Sequence, residues 1–143
     1  MRRARGERGL SLIELVIAAS LLAILMALAF PRWQGHQHQQ RLRYGVAQVA
    51  ASLRQAQERA KAERIPYTVS FTAGSGLYPI ARGGGGFLEN AELPAGVTAT
   101  ATQTVTFSAF GQPAAAYTVT VQNVAGTATV TVTSTGGITY VEP

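Results

Sequence analysis

Apolar residues dominate the chain from Leu10 to Phe30, and only Ser11, Glu14 and Ser20 interrupt them. As an α-helix, this 21-residue run would extend about 31 Å, which is close to the thickness of the hydrocarbon core of a bilayer. The pattern therefore predicts a membrane-spanning helix over residues 10–33.

A second helical pattern follows a polar stretch that begins at Gln34. It ends at Ile65-Pro66, because the residue before a proline avoids helical backbone angles. We therefore predict an amphipathic helix over residues 34–65 that continues the first one. Its apolar stripe recurs at three- and four-residue steps and consists of Leu42, Val46, Val49, Leu53, Ala56 and Ala60.

The pattern changes to alternating apolar and polar positions after Pro66, and glycine-rich turns separate the alternating segments. The alternation places a second set of apolar side chains on one face, opposite the helix stripe. We expect an α+β fold: a long N-terminal helix packed on an antiparallel β-sheet, with the sheet domain over residues 66–143. The predicted strands are Tyr67–Phe71, Thr104–Phe107, Tyr117–Val121, Thr127–Thr133 and Ile138–Val141, and the predicted inward residues are Val105, Phe107, Val119, Val121, Val130 and Val132.

The basic charge is concentrated before the first helix. The formal net charge is +5, and the first nine residues carry +3 of it, from Arg2, Arg3, Arg5 and Arg8 against Glu7. Positive residues on this side of a membrane helix predict a single-pass membrane protein with a cytoplasmic N-terminus and the remainder outside the cytoplasm.

Composition excludes several kinds of chemistry. The chain has no Cys and no Asp, which rules out disulfides, thiolate metal sites and a Ser/His/Asp triad. His36 and His38 would point to different faces of a helix, and the run Gly83–Gly86 lacks the Lys-Ser/Thr of a phosphate-binding loop. Glu58 and Glu63 are expected on a solvated helix face, and Glu89 and Glu92 in a loop. We therefore predict no enzyme activity, no metal and no cofactor.

Two other interpretations of the N-terminal segment were weighed. A buried core helix seldom runs this far without a polar face. A secretory signal peptide is the stronger rival, because Ala27-Leu28-Ala29 is a plausible cleavage site. Glu14 argues against it, since a removable signal gains nothing from an acid in its apolar region.

The stretch Gly9-Leu10-Ser11-Leu12-Ile13-Glu14 resembles the prepilin-peptidase site of type IV pilins and type II secretion pseudopilins. These proteins have a short basic leader ending in Gly, followed by an apolar residue, a hydroxyl residue, two aliphatic residues and Glu. They also commonly carry a proline where the membrane helix leaves the bilayer, as Pro31 does here. The chain departs from the commonest form in having Leu10 for Phe or Met and Ser11 for Thr.

The resemblance implies that prepilin peptidase removes residues 1–9 by cutting after Gly9, and that Leu10 becomes the N-methylated N-terminus. It also implies that Glu14 contacts the N-terminal ammonium of a neighbouring subunit. The implied partners are other pilins or pseudopilins in a filament, prepilin peptidase, and inner-membrane lipid before assembly. Separately, the missing N–H of Pro31 and the nearby Gly35 predict a bend in the helix, the alternative being that the helix ends at Pro31.

The later part of the chain, with Val105-Thr-Phe-Ser-Ala-Phe-Gly-Gln-Pro-Ala-Ala115, looks most similar to the minor subunits called GspH or FimT. Some FimT-like pilins bind DNA through an Arg-bearing C-terminal segment, but no Arg or Lys follows Arg82 here, which disfavours direct DNA binding. The resemblance predicts a minor pilin or pseudopilin, a structural subunit of a filament for secretion, motility or DNA uptake that reaches the periplasm or cell surface. The alternative is a filament-tip subunit that captures DNA or a secretion substrate.

Overall fold

The computed structural model describes residues 11–143, with their side chains except at residues 28–33 and 87–88. Within that range, one helix precedes eight strands, and the chain divides into two compact units after Gly35. We call residues 11–35 the N-terminal unit and residues 36–143 the head. The elements are α1 (Leu12–Glu63), β1 (Tyr67–Phe71), β2 (Leu77–Arg82), β3 (Gly86–Glu92), β4 (Thr98–Ala99), β5 (Gln103–Phe107), β6 (Tyr117–Asn123), β7 (Gly126–Val132) and β8 (Ile138–Val141).

The helix begins and ends where local chemistry predicts. The carbonyl of Ser11 accepts hydrogen bonds from the N–H groups of Glu14 and Leu15, at 2.9 and 3.1 Å, so Ser11 is the N-terminal cap. At the other end, Arg64 adopts a left-handed backbone conformation with φ of 57°, and Pro66 follows. The helix assignment continues through Pro31, so the alternative in which the helix ends there is wrong.

The strands form two four-stranded antiparallel sheets, whereas the sequence predicted one. The strand orders are β3-β2-β1-β5 and β4-β6-β7-β8. All five predicted strands are present with small differences at their ends, and β2, β3 and β4 were missed. The expectation that Glu89 and Glu92 lie in a loop is wrong, since both belong to β3.

Two of the missed strands have features that hide them from a sequence pattern. β2 contains Pro79 although it has a neighbour on each side, and a proline normally argues against an interior strand because it cannot donate to the ladder. The pairing of β2 with β3 shifts register between Ile80 and Ala81, a bulge next to that proline. β4 has two residues, too few for a visible alternation.

The core of the head contains the predicted helix stripe and the predicted inward residues of the strands. All of these side chains are buried, so both patterns are confirmed. They belong to one hydrophobic cluster shared by α1 and both sheets. Full burial of a Val or Leu side chain contributes roughly 1.5–3 kcal/mol, so this cluster accounts for the stability of the head.

Gly45 allows α1 to approach the segment after β3 closely. A Cβ at this position would lie 3.2 Å from Cγ1 of Val97 and 3.5 Å from Cδ of Pro94. Glycine in a helix costs about 1 kcal/mol relative to alanine, and here the close packing offsets that cost.

Polar contacts attach α1 to both sheets. On the side of the first sheet, the side-chain amide of Gln48 donates to the carbonyl of Glu92 at 2.7 Å. On the side of the second sheet, the guanidinium of Arg54 donates to the carbonyl of Ile138 at 2.9 Å, and the amide of Asn123 to the carbonyl of His38 at 2.6 Å. The helix is thereby held in register with both sheets.

Two buried tyrosines differ in how their hydroxyl groups are satisfied. The Tyr78 hydroxyl lies 3.0 Å from the hydroxyl of Ser52, and its ring stacks on Phe71 at 5.2 Å between centroids. The Tyr67 hydroxyl is buried without a hydrogen-bond partner among the described residues. Burial and then the Glu63 carboxylate raise the pKa of Tyr67, and burial raises the pKa of Tyr78.

We expect opposite effects when each hydroxyl is removed. Tyr67→Phe should raise the free energy of unfolding by about 1 kcal/mol, because it deletes an unpaired buried polar group. Tyr78→Phe should lower it by about 1 kcal/mol, because the ring stays but the hydrogen bond to Ser52 is lost. Both free energies of unfolding are measured by urea unfolding of the full chain in detergent, with near-ultraviolet circular dichroism as the signal. Equal destabilisation by the two variants would contradict the difference we describe between the two hydroxyl groups.

Removal of the Tyr67 hydroxyl should also change how stability depends on pH in the alkaline range. A tyrosine whose folded pKa lies above its unfolded value of 10.0 contributes stability that is complete below pH 10 and is lost as the pH rises through the folded pKa. Tyr67→Phe should therefore reduce the loss of stability above about pH 10, as measured in the same unfolding experiment.

Candidate functional site

The N-terminal unit places one carboxylate in the first turn of a helix. Glu14 is exposed and lies three residues after the cap Ser11, a position where the partial positive charge of the helix end favours an acid by about 0.3–1 kcal/mol. Within the described residues Glu14 has no salt bridge. Its charge is therefore available to a group on another molecule.

The rest of this segment exposes apolar side chains on every face. Leu12 is 81% exposed, and the large apolar residues that follow remain more than half exposed. They include Ile13, Leu15, Val16, Ile17, Leu21, Leu22, Ile24, Leu25 and Met26. Side chains of this kind around the whole helix circumference need an apolar surrounding, which lipid or neighbouring helices can provide.

Ser20 does not disturb that apolar surface. Its hydroxyl lies 2.6 Å from the carbonyl of Val16 and 3.0 Å from that of Ile17, so the helix itself satisfies the polar group. Glu14 is consequently the one polar side chain between Leu12 and Met26 that needs an external partner.

No helix within the part of the chain whose side chains are described is both long and apolar enough to cross a membrane. The membrane span over residues 10–33 thus stays a prediction.

The structure describes only some of the other predicted site residues, which are Gly9, Leu10, Pro31 and Gly35. Gly9 and Leu10 lie outside the described residues. Pro31 lies within α1, and its side chain is outside the described part. A Cβ at Gly35 would meet nothing within 4 Å, so close packing does not require glycine there. The predicted bend at Pro31 and Gly35 stays a prediction.

The sequence did not single out a rigid loop at the far end of the head, which we call the tip loop (residues 108–112). The N–H of Ser108 donates to the carbonyl of Gln112, and the N–H of Gly111 to the carbonyl of Ser108, both at 2.8 Å. The buried amide of Gln57 donates to the carbonyl of Gly111 at 2.9 Å and to that of Gly136 at 3.0 Å. One helix side chain therefore holds the tip loop and the turn before β8 together.

The tip loop presents Phe110 to solvent beside cationic side chains. Phe110 is 69% exposed, and the Arg64 guanidinium carbon lies 5.6 Å from its ring centroid, a cation–π contact. Lys61, Arg64, Ala109 and Phe110 line a shallow depression of about 160 Å³. The sequence analysis quoted this stretch for its family resemblance and passed over the exposed aromatic ring.

A larger groove lies near the start of the head, and we call it the Tyr44 groove. It has a volume of about 350 Å³ and is lined by Gln40, Arg43, Tyr44, Ala47 and Glu142. Tyr44 is 69% exposed, and Arg43 and Glu142 form a salt bridge of 3.6 Å across the groove. No local sequence pattern predicts the groove, because its lining combines the helix with a residue almost 100 positions later.

Charged side chains near the end of α1 form salt bridges both along the helix and with the first sheet. Lys61 pairs with Glu58 along the helix at 2.9 Å. Others pair with the first sheet instead: Arg59 with Glu89 at 3.5 Å, and Glu63 with Arg82 at 3.2 Å. Most cations at this end of the head are thus neutralised, which is unlike the open basic track that binds phosphates.

His36 and His38 both lie in α1 and have different hydrogen-bond partners. The His36 ring lies 3.0 Å from the side-chain amide of Gln40, and the His38 carbonyl accepts from Asn123. Among the described residues, no group of three His, Cys, Asp or Glu side chains could hold a metal ion.

Known proteins provide two likenesses. Residues 4–30 match a family model described as the prokaryotic N-terminal methylation motif. The fold is similar to that of the Pseudomonas aeruginosa type IV minor pilin FimU in crystals of space group P21, with a TM-score of 0.59, 18% identity and coverage of 71% of this chain and 88% of that chain. For FimU in crystals of space group P65, the TM-score is 0.57 and the identity 19%, with coverage of 71% of this chain and 93% of that chain.

No curated protein sequence matches this chain significantly. At such low identity the structural likeness shows the fold alone, and it confirms the predicted α+β architecture with a pilin-like helix on antiparallel sheets. The motif and the fold together confirm the predicted resemblance to the type IV pilin family.

The side chain of Gln57 should be needed to hold the tip loop in place, whereas that of its exposed neighbour Gln55 should not. Gln57→Ala should lower the free energy of unfolding by about 2–4 kcal/mol, because two hydrogen bonds are lost and carbonyl groups near the core are left unpaired. Gln55→Ala serves as the control and should change it by less than about 0.5 kcal/mol. Similar losses in both variants, measured by urea unfolding in detergent, would contradict the role given to Gln57.

Proposed function

We propose that this pilin-like chain, which has the prepilin methylation motif and the pilin fold, is a minor pilin or pseudopilin. It would be a structural subunit of a type IV pilus or of a type II secretion-like filament. One observation carries the proposal: an acid lies in the first turn of α1, at the start of a segment, Leu12 to Met26, whose large side chains expose apolar surface on every side. Such a segment is built to be surrounded by other helices.

Maturation comes first in this proposal. Prepilin peptidase removes the basic leader by cutting after Gly9, and Leu10 becomes the N-methylated amino terminus. Glycine suits the cleavage position because it lacks a side chain and lets the backbone approach the catalytic groups of a protease. The match of the methylation motif to residues 4–30 supports this step.

Before assembly, the mature segment is held in the inner membrane. The leader arginines set this orientation when the chain inserts, before the peptidase removes them: the N-terminus stays on the cytoplasmic side, and the head lies on the periplasmic side. The exposed apolar residues between Leu12 and Met26 then contact lipid, and they exchange it for neighbouring helices on entry into the filament. The cost of changing surroundings is small, because lipid tails and helix side chains are similarly apolar.

Glu14 determines how neighbouring helices align. An unpaired charge in an apolar environment is expensive, and a partner of opposite charge offsets part of that cost. The ammonium group at Leu10 of a neighbouring mature subunit is such a partner. Any alignment that separates the two groups leaves both charges unpaired, so the pair selects one register between helices.

A structural role also fits the head better than catalysis or nucleic-acid capture. Lys61, Arg59 and Arg82 each pair with a carboxylate. The segment after Arg82 adds no Arg or Lys. We therefore propose contacts with other pilin subunits as the principal role of the head.

Glu14→Gln should leave membrane insertion intact and reduce the amount of the chain in sheared filaments by about tenfold or more, since an unpaired buried charge costs about 3–5 kcal/mol. The experiment compares membrane and filament fractions of cells that express each full-length variant.

Glu58→Gln is the matched control on the same helix. Its exposed pair with Lys61 contributes at most about 1 kcal/mol, so incorporation should be unchanged. Normal incorporation of Glu14→Gln would contradict the proposed role of Glu14.

A further inference from the structure

Two surface features of the head lie near opposite ends of its helix. The Tyr44 groove is close to the start, and the tip loop with Phe110 packs beside Lys61 near the end. Tyr44 and Lys61 are 17 residues apart in α1, which corresponds to about 25 Å along the helix axis. The two features therefore cannot meet within one copy.

Phe110 is arranged as a fixed projection. Its loop is closed by the backbone bonds of Ser108 and by the amide of Gln57, and the Arg64 guanidinium lies over its ring. A side chain that is already ordered loses less entropy on binding. Exposed aromatic and Arg side chains of this kind are the residues that most often dominate protein interfaces.

The Tyr44 groove has the dimensions and lining to receive such a ring. Its volume of about 350 Å³ exceeds the roughly 150 Å³ of a cavity that holds benzene. The small residue Ala47 is part of its lining, and the Tyr44 ring provides an exposed aromatic surface. Aromatic rings favour contact with each other in stacked or edge-to-face geometries.

The charges of the two features are also complementary. Arg64 has no carboxylate within salt-bridge distance in the part of the chain that the structure describes. Glu142 at the groove is half exposed, and its 3.6 Å contact with Arg43 is long. A carboxylate has acceptor positions for more than one donor, so Glu142 can bind Arg64 of another molecule while it keeps Arg43.

We infer that Phe110 of one copy docks into the Tyr44 groove of the next copy, with Arg64 against Glu142. Contacts between different surfaces of identical chains are head-to-tail, and when they do not close into a ring they build an open filament. The inference rests on the proposed function, to which it adds the contact between successive heads.

Cysteine cross-linking tests this contact, because the chain contains no Cys of its own. Two differently tagged full-length copies are co-expressed, one with Phe110→Cys and the other with Tyr44→Cys, and membranes are mildly oxidised. A disulfide requires Cα atoms within about 7 Å. Val124→Cys, at an 84% exposed position in the β6–β7 turn, replaces Phe110→Cys in the control.

We expect roughly tenfold more mixed dimer from the Phe110 and Tyr44 pair than from the control, as a contact of modest strength gives. Adding Glu142→Gln to the copy that carries Tyr44→Cys should reduce the yield of mixed dimer severalfold. The pair Ala109→Cys and Ala47→Cys, which keeps both aromatic rings, should also cross-link. Absence of mixed dimers in both pairs, or dominance of Phe110–Phe110 dimers from copies lying side by side, would overturn the inference.

Nucleic acid is the competing occupant of the Phe110 surface. Salt-sensitive binding of duplex DNA to the full chain, lost in Phe110→Ala and accompanied by no mixed dimer, would assign the surface to DNA and overturn the inference. The proposed function is tested separately, by asking whether the chain is present in sheared filaments. A chain found in filaments without the cross-link overturns the head contact alone, and a cross-linked chain absent from filaments overturns the filament role alone.

Discussion

The structure depends on how the apolar surface of one 52-residue helix is covered. In the head, both sheets cover a single stripe from Leu42 to Ala60, and each of its side chains is almost completely buried. Between Leu12 and Met26 the same helix is apolar on all sides, and every large side chain is exposed. Burial of apolar area is the main favourable term in folding and association. The head can therefore fold on its own core, whereas the N-terminal unit requires lipid or other helices.

The polar side chains of α1 have different roles in the head and in the N-terminal unit. In the head, Gln48, Arg54 and Gln57 donate to carbonyl groups of the sheets and loops, so they fix the helix on its core. In the N-terminal unit the Ser20 hydroxyl bonds to the helix itself, and Glu14 is left without a partner among the described residues. A charge on an otherwise apolar surface can specify one alignment among many that burial alone would permit.

The features that could be predicted from the sequence are those that depend on repeated residue patterns. The spacing from Leu42 to Ala60 predicted the buried helix stripe, and the alternation around Val119 and Val130 predicted the inward faces of β6 and β7. β2 was hidden because Pro79 suggests a break, and the pairing of β2 with β1 extends only from Arg82 to Ile80, short of that proline. The division into two sheets depends on pairing between distant segments, and the Tyr44 groove depends on Glu142 returning to the helix. Such contacts leave no local pattern in a single sequence.

We propose that the N-terminal segment is a processed filament-assembly element. The most direct test is the mass of the N-terminal peptide of the full chain isolated from cells. We expect the chain to begin at Leu10 with a methylated amino group, as the proposed cleavage after Gly9 requires. A chain that begins at Phe30, as an ordinary signal peptide cut after Ala27-Leu28-Ala29 would leave it, would contradict the account.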